Sequence, residues 1–299
     1  MKILVTGQGG RAGSWAIRAE QLGAAIGAKV VANATRTHGC DIAVVVKRAP
    51  ERVVAALRGM PWVYDVVDFY PQPESYRWDR DRAIEWVRRE IGRLGPTALI
   101  WPNRRMRDDC DPGLPGMVLP HHHRCAIPQN PIRPAVRRVG YEGEASYLGR
   151  WADDLRGECA RRGWEFVVNP RRLADLDIVV AFRECGGYVS RHWKSGVKLA
   201  NAHGSGTPFV GQAESGYAET ACGGEQWAED AAGLREAFDR LSDASERKAV
   251  SDRFLRHAYP LRQAASDLQA FLRDVHDRHY LGPLPVRITR ETMVHVDLR

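Results

Sequence analysis

Short apolar runs alternate along the chain with segments whose apolar residues recur every three or four positions. In the first half KILVTG, AKVVANA, DIAVVV, PWVYDVVDFY, TALIWPN and GMVLPHH read as strands. Between them, SWAIRAEQLGAAIGA carries Trp15, Ile17, Leu22, Ala25 and Ile26 at helical spacing, and PERVVAALRG reads as a short helix. Residues 81–94 form an amphipathic helix with Ile84, Trp86, Val87, Ile91 and Leu94 on its apolar side. Strands alternating with helices predict a parallel sheet covered on both faces.

Residues 128–134, PQNPIRP, hold three prolines in seven positions, so neither a helix nor a central strand runs through them. They are the candidate linker. Beyond it the pattern restarts. RRVGYEG, WEFVVN, DIVVAF and TPFVGQ read as strands, while YLGRWADDLRGECARRG and VKLANAHGSG read as helices. Residues 228–241, 245–256 and 264–279 are also helical in pattern. The expectation is an α/β chain of two domains, 1–135 and 136–260, with a helical tail at 261–299 that packs back on the first domain.

Composition changes this picture little, but charge adds to it. The chain of 299 residues is 44% hydrophobic and 27% charged, as in soluble globular proteins. No apolar run is long enough to span a bilayer, and MKILVTG lacks the features of a signal peptide, so a cytoplasmic location is expected. The six cysteines are scattered and read as reduced thiols without chemistry. Residues 1–138 hold 22 Lys and Arg against 13 Asp and Glu, a net +9, while residues 139–299 come to −2. A basic first half points to an anionic partner.

Thr6-Gly7-Gln8-Gly9-Gly10-Arg11-Ala12-Gly13 has the TGxxGxxG spacing of a nicotinamide-binding turn. Glycines there allow a tight turn and bring helix N-terminal amides close to an anion. An oxidoreductase or epimerase needs more. The second strand, AKVVANATR, ends without the Asp or Glu that would hold a ribose, and no tyrosine stands in a YxxxK pair. The turn therefore stays a backbone device whose function lies elsewhere.

The second half carries Asp177-Ile-Val-Val-Ala-Phe-Arg183-Glu184. It continues with Lys194-Ser-Gly-Val-Lys198-Leu-Ala-Asn201-Ala-His-Gly204-Ser-Gly206-Thr207-Pro208 and then Glu214-Ser-Gly216-Tyr217-Ala-Glu219-Thr. This order resembles the donor-binding half of GT-B glycosyltransferases, in which a strand ends in Arg, a Lys opens the next helix, and a G-x-P turn and a Gly/Glu loop follow. VGYEGEASYL, YDVVDFY and the glycine opening are similar to other segments of those enzymes. The resemblance implies two Rossmann-like domains facing a cleft, acceptor on the first and nucleotide sugar on the second. It also implies a UDP-sugar co-substrate and no tightly bound cofactor or metal. Gly10, Arg11, Arg183, Lys198, Gly216, Tyr217 and Glu219 are the donor-binding candidates. Arg183 and Lys198 would stabilise the departing diphosphate, and Glu219 would accept ribose hydroxyls. The E-x7-E pair of many retaining members is absent; Trp193 and Asn201 occupy its places.

A base for the acceptor hydroxyl is sought in the first half, at Asp65, Asp68 and His121. Asp65 has helix or turn capping as its structural alternative. His121-His122-His123-Arg124-Cys125 places its ligand types too close together for a good zinc site, and three D-x-D matches are about what twenty aspartates give by chance. Arg104, Arg105 and Arg124, with Arg107, Arg133, Arg137 and Arg138, are expected at the cleft mouth, where they would suit a phosphate-bearing acceptor. That favours DNA with a hydroxymethylated base, flipped from its stack, with Trp15, Tyr70 and Trp101 as aromatic candidates. A polysaccharide or small-metabolite acceptor, a nicotinamide-dependent sugar epimerase or dehydrogenase, and a non-catalytic nucleic-acid-binding role are the alternatives.

Overall fold

The computed structural model describes residues 1–10, 13–68, 71, 74–184 and 187–282. Its first sheet contains β1 (Ile3–Gly7), β2 (Lys29–Val30), β3 (Ile42–Val46), β4 (Trp62–Asp65), β5 (Ala98–Trp101) and β6 (Gly116–Val118), in the order β2-β1-β3-β4-β5-β6. The second contains β7 (Arg138–Tyr141), β8 (Glu165–Val168), β9 (Ile178–Ala181), β10 (Phe209–Gly211) and β11 (Gln226–Trp227), in the order β11-β10-β9-β7-β8. All strand pairs are parallel. Every residue of β1, β3, β4, β5 and β9 is buried, which explains why these strands read as continuous rather than alternating apolar runs. Parallel order also brings the C-terminal ends of all strands in a sheet to one edge, where open α/β sheets bind ligands.

The helices follow from their own sequences. In helix Arg80–Leu94 the Asp79 carboxylate accepts the Arg82 amide at 2.8 Å, and Gly95 ends the helix in the left-handed conformation. Ala83, Val87, Ile91 and Leu94 are buried, while Ile84 and Trp86 are half-buried. Full burial of each Val, Ile or Leu contributes about 1.5–3 kcal/mol. Helix Ala231–Ser242 starts three residues later than its apolar pattern suggests, because Asp230 caps it through the Gly233 amide and Gln226–Trp227 join the sheet. The prolyl segment is tied to the second half. The Asn130 amide donates to the Ser205 carbonyl at 2.7 Å and its side chain to Leu176 at 2.6 Å.

Apolar packing joins the halves in both directions. The long helix Leu261–Leu281 lays Ala264, Leu268, Leu272 and Val275 into the core that holds Trp15, Ala19, Leu22 and Ile26 of the first half. In the other direction, Val189 and Trp193 from the second half sit in the first-half core with Trp101, Met106 and Val87. No helix of the described residues is long and apolar enough to cross a membrane.

Candidate active site

The second sheet's cleft edge gathers three cations around one buried carboxylate. Arg183 follows β9; its amide donates to Gln212 Oε1 at 3.0 Å and its Nε meets Glu214 Oε1 at 2.6 Å. Lys198 stands in the first turn of helix Val197–Ser205, its ammonium 4.0 Å from the Tyr141 ring centroid. Lys194, a residue whose role the sequence did not single out, is 8% exposed. Burial, then the nearby Arg183 charge, lowers the Lys198 pKa. Burial pushes the Lys194 pKa down to about 8, with Asp68 opposing the shift. Glu214 is raised, also by burial first. Cations crowded in a poorly solvated place disfavour their own charge, and an arriving anion relieves that cost.

Loops close this edge. Gly143 follows β7 at φ 141°, bridged to Asn169 through its amide at 2.8 Å and its carbonyl at 3.0 Å. A Cβ there would lie 3.1 Å from the Tyr141 hydroxyl and 3.4 Å from the Lys198 ammonium, so a side chain would crowd the cation. Gly216 is buried against Gly196; a Cβ on it would lie 2.2 Å from the Lys194 carbonyl. Tyr217, expected near the phosphate, is 1% exposed and belongs to the second-half core, its phenol pKa raised by burial. Its hydroxyl is hydrogen-bonded with Arg183, so its ring packs in the core while its polar end meets the site's arginine.

The first half faces these cations with a carboxylate, an imidazole and a glycine turn. The structure separates the two aspartates. Asp65, the last residue of β4, is 1% exposed, with Arg18 Nε 3.6 Å from its Oδ2, and burial raises its pKa. That enclosure sets its carboxylate against Arg18 and makes it the more enclosed of the two aspartates. Asp68 instead bridges the halves, 2.6 Å from Lys47 and 3.6 Å from Lys194. His121 is 4% exposed, and its pKa is held well below the usual histidine value, first by burial and then by Arg18 and His122. Its ring is therefore neutral, and among the described residues its Nδ1 has no hydrogen-bond partner. It lines a cavity of about 180 Å³ between the halves, with Pro102, Gly196, Gly216, His203 and Tyr259.

The glycine turn opens on a second cavity, of about 200 Å³, lined by Gln8, Gly9, Ser14, Trp15, Lys47 and Arg48. Gly9 has φ 77°, and a Cβ on it would stand 2.6 Å from that of Ala32, so only glycine fits. Gly10 also has positive φ and is exposed beside this turn. Arg11, Tyr70 and Cys185 lie outside the described residues.

The remaining sequence candidates are brought together differently from the expectation. Both Glu219 oxygens are taken by backbone amides of the first half, Arg104 at 2.5 Å and Arg105 at 2.9 Å. The carboxylate thus caps helix Arg104–Cys110 across the cleft and is already engaged where a ribose was to be bound. The Arg105 guanidinium holds the Tyr188 hydroxyl at 2.6 Å, and Arg124 pairs with Glu142 at 2.9 Å. Arg107 pairs with its neighbour Asp108. Arg133, Arg137 and Arg138 lie with Glu165, Asp175 and Asp177 around a hollow at the N-terminal ends of β7 and β8, the edge opposite the cleft. The arginines therefore do not assemble into one phosphate-binding surface at the cleft mouth. Net charge counted along a chain does not record which edge of a sheet each residue reaches. Trp101 is fully buried in the core, and Trp15 is 7% exposed.

The histidine run does not converge either. His122 Nδ1 lies 2.8 Å from the His123 carbonyl, His123 Nδ1 lies 2.8 Å from that of Arg124, and Cys125 faces Gln21. Elsewhere His203, Cys222 and Glu225 bring one donor atom each within 4.8 Å of one another. Glu225 there accepts His203 Nε2 at 2.8 Å and the amides of Cys222, Gly223 and Gly224; burial opposes its charge, but His203 first and the Cys222 amide next bring its pKa down to about 2.

No protein-family model matches the chain, and no curated protein does. Solved structures match it over nearly its whole length. A glycosyltransferase involved in avilamycin A biosynthesis (AviGT4) is 13% identical at a TM-score of 0.57, over 92% of this chain and 98% of that one. A glycosyltransferase from Rickettsia africae ESF-5 is 7% identical at 0.58, over 92% and 98%. The pneumococcal O-GlcNAc transferase GtfA, solved with UDP and GlcNAc, is 9% identical at 0.53, over 78% of this chain and 56% of that one. Two parallel sheets meeting at their ligand-binding edges, with a terminal helix returning to the first, give this chain the GT-B glycosyltransferase fold.

Proposed function

We propose that the chain is a glycosyltransferase that moves a sugar from a nucleotide sugar, UDP-linked in our reading, to a hydroxyl acceptor. The observation that carries the proposal is the group of Arg183, Lys194 and Lys198 at the second sheet's cleft edge, where burial depresses both lysines. A nucleoside diphosphate would bring further negative charge to cations that already share Glu214 and Asp68, and the UDP complex of the pneumococcal transferase supports that donor class. As the bond between sugar C1 and the diphosphate oxygen breaks, that oxygen takes the electron pair, and the three cations stabilise the charge. The acceptor oxygen forms the new bond to C1 and gives its proton to a base. Fixed cations supply the charge that a metal would otherwise bring, so EDTA leaves the rate unchanged in this account.

His121 is the base we favour. Its ring is neutral at physiological pH, and it lines the cavity between the halves. Because burial depresses its pKa, it stays unprotonated below the usual histidine range, and the acid limb of kcat falls there too. Asp68, bridged to two lysines, serves to hold Lys47 and Lys194. The acceptor is placed with its body in the cavity of Gln8, Gly9, Ser14, Trp15, Lys47 and Arg48 and its reacting hydroxyl reaching past Lys47, whose charge acts on His121, toward the His121 ring. A hydroxymethylated base in DNA remains an arm of the test.

Melting temperatures with each nucleoside diphosphate test the donor; no stabilisation by any of them overturns the transferase reading. Nucleotide sugars are then incubated with glycans, small hydroxyl compounds and hydroxymethylated DNA, and adducts are sought by mass spectrometry. A nucleoside adduct selects DNA, and a glycan or small-molecule adduct removes it. His121→Gln lowers kcat by about 10²–10⁴-fold and leaves UDP affinity intact. An unchanged kcat removes His121 from the reaction.

A further inference from the structure

The segment between Arg183 and Lys198 belongs to the second half by sequence, yet its middle is built into the first. Helix Tyr188–His192 leads into Trp193, which has no exposed surface and packs in the first-half core with Val189, Trp101 and Met106. The Trp193 indole N–H donates to Asp109 Oδ2 at 3.0 Å, and the Tyr188 hydroxyl donates to the same oxygen at 2.7 Å. Asp109 is itself 4% exposed and is held by Arg80 at 2.8 Å. One turn of chain away, the buried Asn103 amide donates to the His192 carbonyl at 3.1 Å and to the Lys194 carbonyl at 3.0 Å. Asn103 Oδ1 accepts the Met106 amide at 2.7 Å, so the same side chain caps helix Arg104–Cys110.

These bonds fix the backbone on both sides of Lys194. The Trp193 ring is locked before it, and the Lys194 carbonyl is held by the opposite half. The lysine side chain has only its own rotamers left, and burial limits those. Its ammonium lies 3.6 Å from Asp68, a first-half carboxylate. Asn103 and Asp109 lie on the loop and helix after β5, while Asp68 follows β4, so neighbouring strands of one sheet set both the anchor and the target.

We propose that Trp193 and Asn103 are positioning residues that clamp the strap 187–194 onto the first half and thereby hold the Lys194 ammonium in the cleft against Asp68. Trp193 touches no reacting group; it acts through Lys194. The consequence for the reaction rests on the transferase reading: the cation that receives the donor diphosphate is carried by the acceptor half, so the cleft is pre-assembled before donor arrives.

Lysine side-chain NMR tests the clamp without any ligand. The chain has six lysines, few enough for each 13Cε signal to be resolved, and Lys194→Arg assigns one of them. The groups that face Lys194 are Asp68 and Lys47 from the first half and Arg183, Lys198 and Glu214 from the second. In the wild-type protein its signal is expected to titrate near pH 8, because burial lowers its pKa to about 8. Trp193→Phe keeps the ring but removes the indole donor, and Asn103→Ser keeps a helix cap but removes the amide donors. In both, the Lys194 midpoint moves up toward that of an ordinary lysine. UDP binding is expected to weaken roughly tenfold, the scale of a lost hydrogen bond in a charged network. Val189→Ala loosens the same core, lowers the melting temperature and leaves the midpoint in place. If Trp193→Phe and Asn103→Ser melt earlier yet keep the wild-type midpoint, the clamp is refuted. If the midpoint moves but the wild-type protein binds no nucleoside diphosphate, the clamp stands and the transferase reading falls.

Discussion

The second sheet carries cations at both of its edges, and the two groups differ in how they are satisfied. At the N-terminal edge Arg133 meets Asp177 at 3.0 Å and Arg138 meets Glu165 at 2.7 Å, with Arg138 and Glu165 half open to solvent. At the cleft edge Arg183, Lys194 and Lys198 share Glu214 and Asp68, and burial depresses both lysines. In the first group the Arg138–Glu165 pair is open to water and worth little. The second is buried, and its cations crowd one another around two carboxylates. In our reading such desolvated, crowded cations mark the place of a phosphate, and a count of arginines does not find it.

Variants at the cleft edge break the comparison most severely. Arg183→Met is expected to lower kcat/KM by about 10²–10³-fold, the scale of losing one fixed charge on a developing oxyanion. It also strips Glu214 of its 2.6 Å partner, so the melting temperature falls, and Arg183→Lys separates the loss of charge from the loss of packing. Steady-state kinetics and calorimetric melting on both variants check this. Lys198→Met sharpens the point. Donor affinity falls roughly tenfold in a UDP titration, while the melting temperature holds or rises, because a desolvated cation is replaced by an apolar side chain of similar length. The double variant Arg137→Ala with Arg138→Ala should leave donor KM and kcat within about twofold, since exposed pairs contribute little. A tenfold change there would move the site to the other edge.

Strands such as β1, β3 and β9 were legible because each is a continuous apolar run covered on both faces. β11 and the helices Tyr188–His192 and Ser215–Ala218 were not, since two to five residues hold too little periodicity to read. Within the site, Arg183 and Lys198 were legible from their order along the chain: Arg183 meets Glu214 and Lys198 stands over the Tyr141 ring, at the same edge. Lys194 was not, because its burial depends on Trp193 seating in the opposite half. Glu219 carries the right residue type at the right spacing, but the fold turns it onto the amides of Arg104 and Arg105. Asp65 and Asp68 are three residues apart in one motif, and only the path of the chain after β4 decides which reaches the cleft.

The central claim is that the second half's cleft edge awaits the diphosphate of a nucleotide sugar. Calorimetric titration of UDP at pH 8, in buffers of differing ionisation enthalpy, tests it most directly. Burial lowers the Lys194 pKa to about 8, and a bound diphosphate would raise it. The account predicts binding with uptake of a fraction of a proton, and affinity that declines as pH rises above about 8. Binding with no proton uptake and a flat pH profile, or no binding at all, would contradict it.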